Sequence, residues 1–135
     1  MAAPTPTFVG LSNQSGDTAL LVSSTYISSP IIIKSGDSVV FEQNTALDTF
    51  GSAVYAMGKM ATWIVVWTAN NQVATSIRPA DTLVIWEHVR STIRPDKAES
   101  SYDTRYGWGY KSEVEISWNG DAQTLNATIS TVPTN

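Results

Sequence analysis

Two alternating runs constrain the fold more than anything else in the chain. Val114, Ile116 and Trp118 alternate with Glu113, Glu115 and Ser117, and Leu125, Ala127 and Ile129 alternate with Asn126, Thr128 and Ser130. A period of two places every second side chain on one face, so each run predicts a strand with one dry and one wet face. Between them, Asn119-Gly120-Asp121 accepts the left-handed backbone of a tight reversal and predicts a hairpin. The same pattern recurs upstream, with strands expected near Phe8–Leu11, Ala19–Thr25, Ile31–Ile33, Ser38–Gln43, Ser52–Met57, Thr62–Thr68 and Thr82–Val89, and the hairpin strands themselves at Ser112–Trp118 and Thr124–Thr131. Turns fall at Ser15-Gly16-Asp17, Ser35-Gly36-Asp37, Gly58-Lys59 and Asn70-Asn71. Residues 62–67 are apolar on both faces, as in a central strand covered on both sides, or one whose outer face meets a ligand or a helix. Many short strands punctuated in this way predict an all-β, mainly β, sandwich. One stretch reads as helical, Pro95 to Tyr106, with Pro95 or Asp96 as the start signal; this predicts one short helix near residues 96–106 with Tyr102 and Tyr106 on one face.

The length of 135 residues suits one domain spanning 1–135, large enough to bury a core without staples. There is no cysteine and a single histidine, His88, so no His/Cys group with metal-ligand spacing is present and no cofactor is expected. The net charge of −4 opposes binding to polyphosphate backbones. Six of the eight basic residues lie between Arg78 and Lys111, but Asp81, Glu87, Asp96, Glu99 and Asp103 stand among them, so nucleic acid is not an expected partner. The opening MAAPTPTFVG lacks the charged and apolar regions of a signal peptide, and no run is long enough to span a bilayer. A soluble protein made without a classical signal peptide, cytoplasmic or released, is expected. The sequons at Asn13 and Asn126 read as chance matches in a Ser/Thr/Asn-rich chain.

Catalysis has little support. His88 has no nucleophile elbow beside it, Glu113 and Glu115 read as a solvated strand face, and no Gly-rich phosphate loop exists. The informative cluster is aromatic: Trp86, Tyr102, Tyr106, Trp108 and Tyr110. If Leu83 and Ile85 face the core, alternation turns Trp86 outward. Exposed rings with polar tips suit a quaternary ammonium head group, a stacked sugar or a membrane interface; the competing reading is that they pack a helix onto the sheet.

The order of these features resembles the actinoporin family, pore-forming cytolysins of sea anemones built on a β-sandwich flanked by two helices. The resemblance is carried by Ser15-Gly16-Asp17-Thr18-Ala19-Leu20, Gly51–Met57, Thr62–Thr68, Trp86-Glu87-His88-Val89-Arg90, the Tyr102-x-x-x-Tyr106 spacing and Tyr106–Ser112 before the final hairpin. It implies a phosphocholine site to which Trp86, Tyr102 and Tyr106 correspond, with Trp108, Tyr110 and Thr68 as neighbours. Thr68 and Asn70 stand where the family has serine and proline, Gly107 replaces a further tyrosine, and residues 75–79 replace an aromatic loop. Only about seven residues precede the first expected strand, so no pore-opening N-terminal helix is expected. Fungal fruit-body lectins and aegerolysins are similar sandwiches without that helix.

The leading expectation is therefore a non-enzymatic membrane-recognition module, cytolysin- or toxin-like, that binds a lipid head group or a membrane-displayed glycan, with a homo-oligomer or a second pore-forming component as the partner if a pore forms. A soluble carbohydrate-binding lectin of the fruit-body type is the alternative, and a structural or assembly protein with aromatics buried at a protomer interface is the third.

Overall fold

The computed structural model describes residues 5–25, 30–45, 50–59, 61–80, 86–103 and 107–133. Among them the chain runs through β1 (Thr5–Gln14), β2 (Ala19–Ser24), β3 (Ile32–Ile33), β4 (Ser38–Thr45), β5 (Phe50–Met57), β6 (Ala61–Thr68), β7 (Gln72–Pro79), α1 (Trp86–Arg90), β8 (Arg94–Pro95), β9 (Lys97–Asp103), β10 (Trp108–Asn119) and β11 (Ala122–Pro133). They form a five-stranded sheet, β4-β1-β11-β10-β9, and a six-stranded sheet, β3-β2-β5-β6-β7-β8. The fold is all-β. β1 lies parallel to β11, and the other pairings are antiparallel.

The two sheets share one core. Val9, Leu11, Val114, Ile116, Leu125, Ala127 and Ile129 face Ala53, Tyr55, Met57, Trp63, Val65, Trp67 and Val73 from the opposite sheet. The hairpin residues take the faces that their alternation demands: Val114, Ile116, Leu125, Ala127 and Ile129 are buried, while Glu113, Glu115 and Asn126 are exposed. Trp118 follows the inward parity but is 52% exposed. The tight turns use the expected residues, with Gly36 at φ 91°, Asn71 at φ 60° and Gly120 at φ 66°.

Strand β6 is covered on both sides. Trp63, Val65 and Trp67 enter the core between the sheets, while Ile64 and Val66 form a second cluster with Val54, Ala74 and Val89, against which Phe50 and Ile93 pack. Helix α1 therefore caps the outer face of the six-stranded sheet. Trp86–Val89, expected to close a strand from Thr82, is part of this helix; residues 82–85 lie outside the described residues. Val89 meets the sheet from α1 and Ile93 from the turn that follows it, while Glu87, His88 and Arg90 are exposed.

The helix expected near 96–106 does not form over its described part. Residues 97–103 are strand β9, paired with β10 from Gly109↔Asp103 to Glu115↔Lys97, and residues 104–106 lie outside the described residues. Lys97, Glu99, Ser101 and Asp103 are exposed, and Ala98, Ser100 and Tyr102 are half-buried. That period of two was hidden because the inward residues are small or polar. Asp96 at φ 68° breaks any helix that Pro95 could start and turns the chain from β8 into β9. A further strand, β7, occupies residues where a reduced loop was expected; Val73 and Ile77 enter the core, and Thr75 between them is also buried.

A directional hydrogen-bond chain explains why Thr75 can sit there. The Trp63 indole N–H donates to Ser112 Oγ at 2.8 Å, and Thr75 Oγ1 donates to the Ile64 carbonyl at 2.8 Å. Thr75 has then used its one proton, so in the 2.6 Å contact between the hydroxyls Ser112 is the donor. Each polar side-chain group of this Trp63–Ser112–Thr75 relay has a partner, which lets it cross between the sheets inside the core.

Candidate functional site

Of the residues singled out from sequence, Tyr110, Tyr102 and Thr68 have described side chains, and none of the three is fully exposed. Tyr110 is fully buried, and its hydroxyl donates to the Asp17 carboxylate. Burial first, then that hydrogen bond and the charge of Asp17, push its phenol well above the usual tyrosine range. Tyr102 lies on β9 as the pairing partner of Tyr110 and packs half-buried against the core. Both rings pack against the core, Tyr110 fully and Tyr102 in part, as the competing packing reading has it, though from paired strands and not from a helix. Thr68 is half-buried at the end of β6: its hydroxyl meets Gln72 Oε1 at 3.2 Å and accepts from the Asn70 N–H, while its carbonyl accepts from Gln123 Nε2 at 2.8 Å. It is a brace for the β6–β7 turn. Trp86 opens α1 and Trp108 opens β10, but the directions of their side chains, and all of Tyr106, lie outside the described residues.

Asn13 also changes meaning. It is fully buried, its amide donates to the carbonyls of Asp17 and Ile33 at 2.7 and 2.8 Å, and its Oδ1 accepts from both the N–H and the hydroxyl of Ser15. With both ends of the amide engaged in the fold, this sequon is a structural lock and not an acceptor for a glycan.

Two surfaces stand out instead. The first is the β2–β3 edge of the six-stranded sheet, where Leu20, Ile32, Val22 and Ile31 are 48%, 52%, 62% and 71% exposed. Leu20 and Ile32 are cross-strand partners on the outer face, and the Ile31 carbonyl anchors the segment by accepting from Leu21 N–H at 2.8 Å. A register shift between Leu21 and Ser23 marks a bulge at Val22, which alternation turns outward with Leu20. Lys34 follows β3 and Lys59 lies in the β5–β6 turn, both exposed, at the end where Ala19 pairs with Ile33 and Met57. Single exposed aliphatics are ordinary, but four gathered at one edge mark an interaction surface.

The second surface is the wet face of the five-stranded sheet, an open depression of about 790 Å³ bordered by Lys97, Glu99, Glu113, Glu115, Asn126 and Thr128. Beside it, Lys111 and Glu113, two apart on β10, pair at 3.2 Å. It offers carboxylates, an amide and a hydroxyl for hydrogen bonding, and no described aromatic platform.

No protein-family model matches the chain, and no curated protein is significantly similar to it.

The apolar edge carries a sequence signal that the strand reading passed over. Ile31-Ile32-Ile33 is a run of three β-branched apolar residues, and no strand can bury three consecutive side chains on one face. Ile33 is buried, alternation turns Ile32 outward, and Ile31 lies just before the two-residue β3, so both are exposed.

Proposed function

We propose that this chain is a non-catalytic recognition module that meets a lipid bilayer with its β2–β3 edge. The observation that carries the reading is the exposed set of Leu20, Val22, Ile31 and Ile32 with Lys34 and Lys59 beside it. Aliphatic side chains enter the acyl boundary while lysines remain at the head groups. Transfer of these partly exposed residues is worth roughly 3–5 kcal/mol in all, at about 1.5–3 kcal/mol for a side chain that becomes fully buried. Each lysine near an anionic surface adds about 1 kcal/mol. A bilayer suits the edge better than a second copy of the chain, since a two-residue β3 leaves little backbone for strand addition. The resemblance to actinoporins and aegerolysins supports the same class of activity. No described helix is long and apolar enough to cross a membrane.

The test is co-sedimentation with phosphatidylcholine vesicles, with and without sphingomyelin, of the parent chain and an Ile31→Asp/Ile32→Asp variant, alongside dye release. Binding that falls at least about tenfold in the variant, the equivalent of roughly 1.4 kcal/mol, supports the reading. Binding that is absent, or indifferent to the variant, rejects it; a concentration-dependent dimer in place of vesicle binding assigns the edge to a second copy. Dye release separates a cytolysin from a passive module.

A second reading has its own observation. The polar depression on the opposite sheet, with Asn126, Thr128 and three glutamates, suits the vicinal hydroxyls of a glycan and supports the lectin alternative. Sugar-inhibited haemagglutination without binding to lipid-only vesicles favours it.

A further inference from the structure

A third site lies where α1 and β9 meet β7, independent of the bilayer reading. Between them is a cleft of about 210 Å³ whose wall carries Arg78, His88 and Arg94, the hydroxyl-bearing Ser76 and Ser100, and one carboxylate residue, Glu99. The clustering is notable in a chain whose net charge is −4.

Arg78 is the decisive member. It sits on β7 opposite Thr62 and is half-buried; its Nε is shut off from solvent and has no hydrogen-bond partner. A guanidinium stays charged at any physiological pH, and a buried N–H without an acceptor costs about 1–3 kcal/mol. Arg78 thus brings a fixed positive charge to the wall of the cleft. Arg94, exposed at the start of β8, forms no salt bridge with a described carboxylate. Ser100 Oγ accepts from the Ile77 N–H at 3.2 Å, which leaves its own proton to donate into the cleft.

We propose that this cleft binds a tetrahedral oxyanion, a phosphate or sulfate monoester. Such a group offers three terminal oxygens, enough to meet the Arg78 guanidinium, the Arg94 fork and the Ser100 hydroxyl together, whereas a carboxylate offers two. The space corresponds to the volume of roughly seven liquid waters, which admits the anion and the first atoms of its ester group. Glu99 opposes the anion and sets the affinity below what the two arginines alone give.

The test uses sodium phosphate as the probe, titrated into ¹⁵N-labelled protein at fixed ionic strength, with sodium chloride as the control. Saturable shifts at the amides of Arg78, Arg94 and Ser100 are expected with phosphate and not with chloride. Arg94→Gln, an exposed and fold-neutral change, weakens binding about tenfold, the loss of one charge-assisted contact; Glu99→Gln strengthens it severalfold, and Glu42→Gln, exposed on the distant edge strand β4, leaves it unchanged. Arg78→Gln abolishes it provided its circular dichroism matches the parent. Vesicles of phosphatidylcholine with phosphatidic acid then locate the source: R94Q-sensitive vesicle binding that free phosphate displaces means a lipid-borne ester, and its absence beside intact phosphate binding means a soluble one. Shifts that do not saturate, that chloride reproduces, or that survive in R94Q overturn the proposal.

Discussion

Gly51→Ala tests the inter-sheet packing at its tightest point. Gly51 is the cross-strand partner of Trp67, whose ring lies over it. A Cβ added at residue 51 would stand 2.2 Å from both Cε2 and Nε1 of that indole and 2.6 Å from Cζ2. Carbon pairs rest at about 3.5–4.0 Å, so the ring must retreat by more than about 1 Å. It has nowhere to go, since Trp67 is fully buried in the main core beside Val65 and Val73. Overpacking of this kind costs about 1–3 kcal/mol, and a clash with a rigid, enclosed indole belongs at the upper end. The loss of glycine entropy from the unfolded chain offsets about 0.4–1 kcal/mol, leaving a net destabilisation of about 2–3 kcal/mol. Urea unfolding followed by tryptophan fluorescence and circular dichroism measures it. The midpoint should fall by roughly 1–2 M with the slope unchanged. Trp67→Phe, destabilising alone, should cost less in the Gly51→Ala background. A Gly51→Ala protein within about 0.5 kcal/mol of the parent, or strictly additive variants, would refute the packing argument.

Three further outcomes follow from the polar interior. Ser112→Ala strands the buried Trp63 indole N–H and removes the donor to Thr75, and should cost about 2–3 kcal/mol in the same denaturation assay. Gln123 is fully buried and joins Thr7, Thr68 and the Asn71 N–H, so Gln123→Ala should destabilise by about 2–4 kcal/mol and expose the 68–72 turn to hydrogen exchange ahead of the rest of β6. Burial pushes the Tyr55 phenol from 10.0 up to about 12. A raised folded-state value means that its contribution is intact below pH 10 and is lost as the pH climbs through 12, because the unfolded chain ionises first. Unfolding free energy should therefore fall between pH 10 and 12, and less steeply in Tyr55→Phe.

Much of the fold was legible because burial and period agree along most strands. Val114, Ile116, Leu125, Ala127 and Ile129 sit where strict alternation puts them, and the doubly apolar 62–67 run became a central strand capped by a helix. The pattern misled where tertiary structure supplied what the sequence lacked. β7 hides a buried threonine whose hydroxyl is satisfied by the Ile64 carbonyl on the neighbouring strand and by Ser112 across the core, and β9 alternates charged residues with Ala98 and Ser100, too weakly apolar to register as a strand. The Tyr102–Tyr106 spacing fitted a helix, yet Tyr102 is held by pairing with Tyr110, a contact no local rule encodes. The apolar β2–β3 edge was written in Leu20 and Ile31–Ile33, but its exposure depends on β3 lying at the margin of the sheet. The arginine cleft joins residues 78, 88 and 94 with a strand that was expected to be a helix, and so could not be assembled in advance.

The absence of cysteine makes the central claim directly testable, because one engineered cysteine carries one probe. An environment-sensitive fluorophore is placed at Ile31→Cys on the apolar edge or at Ser117→Cys on the wet face of the five-stranded sheet, both exposed positions. On mixing with phosphatidylcholine–sphingomyelin vesicles, the probe at residue 31 should shift to the blue, brighten and be quenched by brominated acyl chains, while the probe at residue 117 remains water-like. A response at residue 117 with none at residue 31, or no response at either, contradicts attachment through the β2–β3 edge.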